Sequence, residues 1–275
     1  MRAVRQPGPA PAERILAARS SGARVAFDLP AGALLLDAVR EAFGAAGFSS
    51  GVLRLAGGRL DPLAYVMPAL SPTPRHAAFY SETHRPAGGG RVAAGALTFG
   101  RRDEAPFFHC HALWEEADGA LHGGHVLPDE TRIGETLRVE GVGLADAGFE
   151  AIPDPETNFP LFAPRGGAGE GRFHALRLRP NQDLTGALEA YCAARGIAVA
   201  ALHGGVGSII GARFADGSVV EPFATEMFLA GGRVESGIAG VEAGLVDLTG
   251  AVARGRLLRG DNPVLMTLEV VLEEG

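Results

Sequence analysis

Three histidines near the middle of the chain have a spacing that suits a metal ion. His109 and His111 lie in the segment PFFHCHALWEE, residues 106–116, which we predict to be a β-strand. Alternate residues of a strand point to the same face, so both imidazoles should project together while Cys110 points to the opposite side. With His125, which follows on the next apolar run, they could supply three nitrogen ligands to one ion.

A β-hairpin would bring the third histidine back to the first two. Asp118-Gly119 is a turn signal between two apolar runs, and the chain then continues as ALHGGHVL. This turn returns His125 toward the first strand, and the strand register decides how near it comes. Gly123 and Gly124 carry no side chains, and we expect them to line the site and to leave room for a bound ion.

Three imidazoles without a fourth protein ligand are typical of an open metal site. Catalytic zinc commonly has three protein ligands and a water, whereas closed structural sites use four ligands, often cysteines. We therefore predict a divalent metal, with zinc favoured, although imidazole also suits nickel, copper and iron. Such an ion can polarise a carbonyl group or lower the pKa of a bound water. The alternative is a set of ordinary hydrogen-bonded histidines, and Cys110 fits a buried thiol better than a ligand.

Charged residues near the hairpin could assist such an ion. Glu82 and His84 lie in the segment FYSETHRP, and Arg85 or Arg91 could orient an anionic substrate. We expect Glu82 and Arg91 to line the site. Most charged residues are solvated surface groups, so a surface role is the simpler alternative for each of them. The sequence assigns no catalytic residue and no reaction.

Composition and charge exclude several classes of protein. The 275 residues are 47% hydrophobic and 21% charged, which indicates a globular rather than a disordered chain. The net charge of −7 disfavours non-specific binding to nucleic acid. Two widely separated cysteines do not indicate a disulfide framework. We find neither an apolar run of about eighteen residues nor a secretory signal, and therefore expect a cytoplasmic protein without a membrane segment.

Two amphipathic helices divide the chain into two similar stretches. Apolar residues recur at helical spacing in residues 34–48 and again in 183–197, each time after one strand and before several others. We predict an α+β fold of two similar copies, each a mostly antiparallel sheet with one main helix. The expected domains are a flexible arm (1–23), a first copy with the metal site (24–145), a Pro/Gly-rich linker (146–171) and a second, degenerate copy (172–275).

The second copy is expected to lack the metal site. The segment GRLLRGDNPVLMTLEVV aligns without a gap with GHVLPDETRIGETLRVE, which puts Arg256 in the place of His125. A shorter hairpin loop in the second copy would put Leu245 and Asp247 in the places of the first two histidines. Arg256 and Asp247 could then form an ion pair, and the second copy would serve as a scaffold.

With these features the chain resembles the PPC family, the "plants and prokaryotes conserved" domain. The resemblance rests on HCH at 109–111, on GGHVLPDETRIGETLRV at 123–139 and on the strand-helix start of each copy. It implies a mixed α/β domain with a largely antiparallel sheet, a homotrimer, and a metal, typically zinc, on His109, His111 and His125. It also implies a fold similar to acetolactate decarboxylase, a duplicated fold with a three-histidine zinc. The tandem arrangement departs from the family's usual single domain.

Three functions stay open at this point. The first is a metal-dependent site that binds or transforms a small molecule. The second is a DNA-binding or regulatory module of the PPC type, although the triplet at 254–256 lacks the proline and the basic flank of the AT-hook found in plant members. The third is a structural metal at the interface of a homo-oligomer, for which the resemblance favours a trimer.

Overall fold

Two mostly antiparallel β-sheets, each packed against one helix, form the molecule. The computed structural model describes residues 2–167 and 169–275. Helix α1 (Leu35–Ala45) contacts the first sheet, and helix α2 (Leu184–Ala193) contacts the second. The predicted α+β fold with two similar copies is confirmed. Residue 1 of the expected arm and residue 168 of the expected linker lie outside the described ranges.

The amphipathic spacing of the sequence explains both helices. On α1, Leu35, Val39 and Phe43 recur at intervals of one turn, and all three are buried in the core of the first half. On α2, the Asp183 carboxylate accepts a hydrogen bond of 2.7 Å from the Gly186 backbone N–H, which caps the helix start. Within the described part of the chain, no helix is long and apolar enough to cross a membrane.

Strands dominate the first 167 residues. They are β1 (Ile15–Ser20), β2 (Gly22–Leu29), β3 (Ser50–Leu55), β4 (Arg59–Leu60), β5 (Tyr65–Val66), β6 (Pro68–Ala69), β7 (Phe79–Tyr80), β8 (Gly90–Arg102), β9 (Ala105–Glu115), β10 (Leu121–Val126), β11 (Ile133–Glu135), β12 (Leu137–Leu144), β13 (Ala147–Pro153) and β14 (Pro160–Gly166). The main path of the first sheet runs β2-β12-β3-β8-β9-β10-β5. The strand that carries His109 and His111 (β9) and the strand that carries His125 (β10) are therefore neighbours in this sheet.

The remaining strands build the second sheet. They are β15 (Phe173–Leu178), β16 (Val199–Ile209), β17 (Ala212–Arg213), β18 (Val219–Val220), β19 (Thr225–Glu235), β20 (Ile238–Asp247), β21 (Val252–Arg256) and β22 (Val264–Glu274). The order of this sheet is β1-β15-β22-β16-β19-β20-β21. Strands β17 and β18 pair with each other in a small separate ribbon.

The two sheets repeat one strand order. The sequence β2-β12-β3-β8-β9-β10 in the first corresponds to β15-β22-β16-β19-β20-β21 in the second, and the helix follows the first strand in both. The hairpins also match in length, because the closing pairs Glu115–Leu121 and Val246–Val252 both enclose five residues. The expectation of a shorter loop in the second copy is therefore wrong.

This equal length changes the alignment of the two copies. Across β9 and β10, His111 lies opposite His125. Across β20 and β21, Glu242 lies opposite Arg256. Since Arg256 takes the place of His125, the counterpart of His111 is Glu242 and not Asp247. The Asp247 carboxylate instead accepts hydrogen bonds from Thr249 within the turn.

Apolar side chains join the two sheets face to face. One cluster combines Ala96 and Leu113 of the first half with Val206 and Phe228 of the second. A second cluster combines residues of both halves with Phe149 and Phe162 of the connecting segment; its other members are Val52, Val142, Leu144, Phe173, Ala175 and Val271. The face of β9 that carries the histidines therefore packs against the second sheet and is not exposed to solvent.

The arm and the linker differ from expectation. The prolines near the N-terminus favour an irregular arm, but β1 pairs along its whole length with β15 of the second sheet, from Ile15–Leu178 to Ser20–Phe173. The Pro/Gly-rich linker forms the hairpin of β13 and β14, and β13 also pairs in parallel with β8. β1 is ordered because it satisfies the backbone groups of the β15 edge, and β13 continues the pairing of β8 beyond the residues that pair with β3.

A buried ionic network ties the linker to the second sheet. Asp154 on the linker accepts hydrogen bonds from Arg177 at 2.8 Å and from Arg179 at 2.6 Å. The side chains of Asp154 and Arg177 are each 1% exposed. Nearby, Arg14 of the N-terminal segment pairs with Glu156 at 2.9 Å. Three distant parts of the chain are thus held together by charged groups, which are buried apart from the partly exposed Arg14.

Candidate metal centre

Strand parity separates the histidines from the cysteine, as the sequence predicts. On β9, Phe108 and Cys110 are fully buried in the core on the helix side of the first sheet. His109 and His111 point to the other face, toward the second half of the chain. Cys110 is a free thiol, and burial raises its pKa far above the ordinary value. It therefore acts as a packing residue.

The hairpin brings the three imidazoles together. The Nε2 atoms of His109 and His111 are 3.1 Å apart, and His111 Nε2 is 3.2 Å from His125 Nδ1. One ligand atom from each ring lies within 4.8 Å of the others. The distance agrees with the spacing of nitrogens around one zinc, because Zn–N bonds of about 2.0–2.1 Å at tetrahedral angles separate them by roughly 3.3 Å.

The second half orients two of these rings. Glu269 on β22 contacts His109 Nδ1 at 2.6 Å, and the Met227 carbonyl on β19 accepts a hydrogen bond from His111 Nδ1 at 2.9 Å. Glu269 is fully buried, and Thr267 donates a hydrogen bond to it at 3.1 Å. Burial raises the pKa of Glu269 to about 8, because a charged carboxylate is disfavoured away from water. Such outer partners fix the ring orientation of a metal-binding histidine.

A second carboxylate from the same half reaches the centre. Glu226 on β19 places Oε2 at 2.9 Å from His111 Nε2, the nitrogen that faces the other two rings. Its side chain is 11% exposed. The two halves therefore contribute different groups to one place, imidazoles from the first sheet and carboxylates from the second.

The electrostatics of the site keep two rings neutral. Burial lowers the pKa of His109 to about 3, and the nearby His111 adds to this. Burial and the other two histidines lower the pKa of His125 well below its ordinary value. Burial also disfavours charge on His111, but the Glu226 carboxylate outweighs it and raises the pKa of that ring. Neutral imidazoles are the form that binds metal ions.

A cavity of about 440 Å³ adjoins the centre. His109 and His125 form part of its wall, and Arg102, Asp129 and Glu130 supply its charged groups. The remaining lining is mostly apolar and includes the aromatic residues Phe79, Tyr80, Phe107, Phe159 and Phe162. The Tyr80 ring lies 5.4 Å from the His125 ring between centroids. The cavity is within the size range of small-molecule sites.

Two charged residues expected to line the site lie elsewhere. Arg91 is on β8 opposite Glu115, which lies at the turn end of the β9–β10 hairpin. Its side chain pairs with Glu135 at 2.9 Å on the surface. Glu82 is exposed, and its neighbour Thr83 is the residue that faces the cavity. Neither Arg91 nor Glu82 belongs to the lining of the cavities beside the histidines. The sequence could not reveal the positions of Arg91 and Glu82, because spacing along the chain does not show how far a residue lies from the histidines once the strands pair.

The paired glycines have a packing role rather than the expected role of leaving room for an ion. A Cβ atom at Gly123 would lie 2.6 Å from Leu113 Cδ2. A Cβ atom at Gly124 would lie 2.7 Å from Tyr65 Cδ2 and 2.7 Å from the Val66 carbonyl oxygen. Both positions let neighbouring chain segments approach closely, which sets the register that brings His125 to His111.

We expect Gly124→Ala to destabilise the fold by about 1–3 kcal/mol, the usual cost of overpacking a core. The Val66 carbonyl cannot move away without disturbing the β10–β5 pairing. Gly44→Ala is the matched control, since a Cβ there meets nothing within 4 Å and alanine favours helices by up to about 1 kcal/mol. Urea unfolding of both variants would check this, and equal stability of the two would contradict it.

The sequence analysis missed Glu226 and Glu269. A signal for Glu269 does exist, because it interrupts the apolar run VLMTLEVVL, and a carboxylate inside a buried strand indicates a site or a buried partner. Glu226, at the start of TEMFLA, gives no comparable signal because a glutamate at a strand end is ordinarily solvated.

Comparisons with known proteins give similarity of structure at low sequence identity. No family model and no curated protein matches the sequence. A plant- and prokaryote-conserved (PPC) protein of Pyrococcus horikoshii has 17% identity and a TM-score of 0.42, over 52% of this chain and 93% of its own. A metal-containing protein of Archaeoglobus fulgidus has 18% identity and a TM-score of 0.41, over 52% of this chain and 95% of its own.

A third similar structure carries a different description. It is a candidate DNA-binding protein of Bacteroides thetaiotaomicron, with 15% identity and a TM-score of 0.37 over 52% of this chain and 96% of its own. Each of these three matches spans about half of the chain. At these TM-scores the similarities carry no functional argument, so the function is inferred from the site itself.

Proposed function

We propose that His109, His111 and His125 bind one divalent transition metal ion, with zinc the best fit, and that a small molecule binds beside it. The support is the convergence of three ring nitrogens on one point, with distances of 3.1 and 3.2 Å between neighbours. Two of the three rings are oriented through their opposite nitrogens by Glu269 and the Met227 carbonyl.

The observation that carries this proposal is an excess of lone pairs. Neutral His111, the form that binds metal, uses its one N–H on the Met227 carbonyl, so its Nε2 presents only a lone pair; a protonated His111 would place at Nε2 one N–H that satisfies only one neighbour. That lone pair faces the nitrogens of His109 and His125 and the carboxylate of Glu226. Such acceptors repel one another unless a proton or a cation lies between them. A divalent cation satisfies all of them together.

The chemistry available there is that of a Lewis acid next to an aromatic cavity. A metal ion held by imidazoles can polarise a carbonyl or carboxylate oxygen of a ligand or lower the pKa of bound water. The walls formed by Phe79, Phe107 and Phe162 favour a molecule with an apolar or planar body. We infer a small ligand with an oxygen donor at one end and an apolar part at the other.

Elemental analysis tests the proposal directly. Protein prepared without an affinity tag or a chelator should contain about one equivalent of zinc or a related metal per chain, as a three-histidine site predicts. Removing the metal with a chelator should lower the melting temperature, because an ion that binds only the folded state stabilises it. Protein that arrives without metal and rebinds neither Zn²⁺ nor Co²⁺ would overturn the proposal.

Two alternatives make different predictions. A purely structural metal at the interface of a homo-oligomer would hold the subunits together, so its removal would dissociate the oligomer in sedimentation. DNA binding is disfavoured by the net charge of −7. A duplex titration at low salt would support DNA binding only if the affinity fell steeply as salt increased.

A further inference from the structure

Glu226 brings a carboxylate to the histidine cluster at His111. It stands on β19 of the second half, and its Oε2 atom is 2.9 Å from His111 Nε2. It lines a small pocket together with His109 and Tyr80, next to the larger aromatic cavity. With 11% of its side chain exposed, this carboxylate is largely removed from bulk water.

A single proton cannot satisfy every group around His111 Nε2. His111 Nε2 has three neighbours within 3.2 Å: two imidazole nitrogens and the Glu226 oxygen. One proton on that nitrogen could satisfy only one of them. Within the described ranges Glu226 pairs with His111 and with no arginine, so its charge is balanced either by a proton on His111 or by a bound cation. A largely buried carboxylate needs a positive charge nearby.

We propose that Glu226 is a metal ligand, so that a single site is built from three histidines of the first half and one carboxylate of the second. This inference rests on the proposed function, since it presupposes an ion at the three imidazoles. A carboxylate oxygen is an ordinary zinc ligand, and catalytic zinc sometimes expands from four to five ligands. A small molecule would bind this ion as the fifth ligand. The second copy supplies a ligand although it lacks a histidine trio of its own.

The negative charge of Glu226 also narrows the class of ion. Three neutral imidazoles and one carboxylate leave a divalent ion with one net positive charge inside the protein. This set of nitrogen and oxygen donors suits Zn²⁺, Fe²⁺ or Co²⁺, whereas Cu⁺ prefers the soft sulfur of cysteine or methionine. Cys110 points away from the site, and no sulfur ligand occurs in the cluster found among the described residues.

The test uses metal affinity and coordination geometry in the full chain. Zn²⁺ affinity would be measured by competition with a chelator, and the visible absorption of the Co²⁺-loaded protein would report the ligand set. Glu226→Gln should weaken Zn²⁺ binding by at least about tenfold to a hundredfold, which is the usual loss for a partner that only orients a metal ligand. It should also shift the Co²⁺ absorption bands, which a merely structural role would leave in place.

Two further variants sharpen the comparison. Glu226→Asp keeps the charge and should recover part of the affinity. Glu235→Gln is the matched control, because Glu235 lies on the same strand, is 54% exposed and pairs with Arg233 at 2.9 Å. It should leave affinity and spectrum unchanged.

The outcomes separate this inference from the proposed function. If the wild type binds Zn²⁺ and Glu226→Gln binds it equally tightly with the same Co²⁺ spectrum, Glu226 is not a ligand and the three-histidine proposal stands. If the wild type binds neither ion, both proposals fail. Weaker binding with a shifted spectrum in Glu226→Gln, and neither change in Glu235→Gln, supports a site shared by the two halves.

Discussion

Replacing His111 with alanine should weaken Zn²⁺ binding by roughly a hundredfold to a thousandfold. Structural zinc sites with four ligands bind with about 10–16 kcal/mol, so one ligand accounts for about 2.5–4 kcal/mol, and each 1.4 kcal/mol is a factor of ten. His111 has the largest effect of the three because its Nε2 atom contacts both other ring nitrogens. Chelator competition at fixed pH measures the change.

His122→Ala is the matched control for this variant. His122 is on the same hairpin, but its side chain is 36% exposed and its nearest carboxylates are Glu116 at 4.0 Å and Asp118 at 3.9 Å. Its removal should leave Zn²⁺ affinity unchanged. Equal affinity of His111→Ala and His122→Ala would show that the trio does not bind the ion. The melting temperature of each variant without metal establishes that both are folded.

Asp154→Ala should lower the free energy of unfolding by about 3–5 kcal/mol, the usual cost of removing one partner from a buried ion pair. The substitution leaves Arg177 and Arg179 charged without the carboxylate that accepts hydrogen bonds from both. Arg177 is almost completely buried, so water cannot replace the lost partner. Chemical denaturation at neutral pH would measure the loss.

The pH dependence of the same variant is a second test. Burial alone would raise the pKa of Asp154, but the charge of Arg177 and hydrogen bonds from Thr157 and the two arginines lower it overall. A depressed carboxyl pKa contributes stability above the unfolded value of about 3.9, and this is lost as the pH falls through the folded pKa. The gap between wild type and Asp154→Ala should therefore narrow below about pH 4.

An exposed ion pair supplies the control for Asp154. Arg91 and Glu135 are 2.9 Å apart, with side chains 53% and 48% exposed. Glu135→Ala should cost less than about 1 kcal/mol, as surface pairs usually do. If Asp154→Ala cost no more than Glu135→Ala, the network between the linker and the second sheet would not be a source of stability.

Local patterns in the sequence were sufficient to predict the hairpin and its histidines. Alternation along residues 106–116 places Cys110 opposite the imidazoles, and the turn at Asp118-Gly119 sits where the structure has it, with Gly119 at φ +78°. Both helices and the two similar copies follow from the same kind of pattern. These features depend on residues that are close along the chain, and this is why a single sequence reveals them.

Such local patterns could not predict contacts between segments that are distant along the chain. Glu226 and Glu269 lie more than a hundred residues from the histidines they touch, and only the packing of one sheet on the other brings them there. The same holds for β1, whose partner β15 is far along the chain. The prolines before β1 predicted an irregular arm. The free edge of the second sheet, which β1 pairs with, is a property of the whole fold and cannot be seen in the local composition.

The passage from β1 to β2 has a consequence for any attempt to divide the protein. β1 pairs with the second sheet, and β2, which begins two residues after β1 ends, pairs with β12 of the first. A fragment beginning at the second copy would therefore expose the backbone of β15 and be prone to stick to other chains by edge pairing. If the gene were split at the linker, the C-terminal fragment would also have to carry residues 15–20 to keep the edge of its sheet paired. The two structural halves of this protein are therefore interleaved along its sequence.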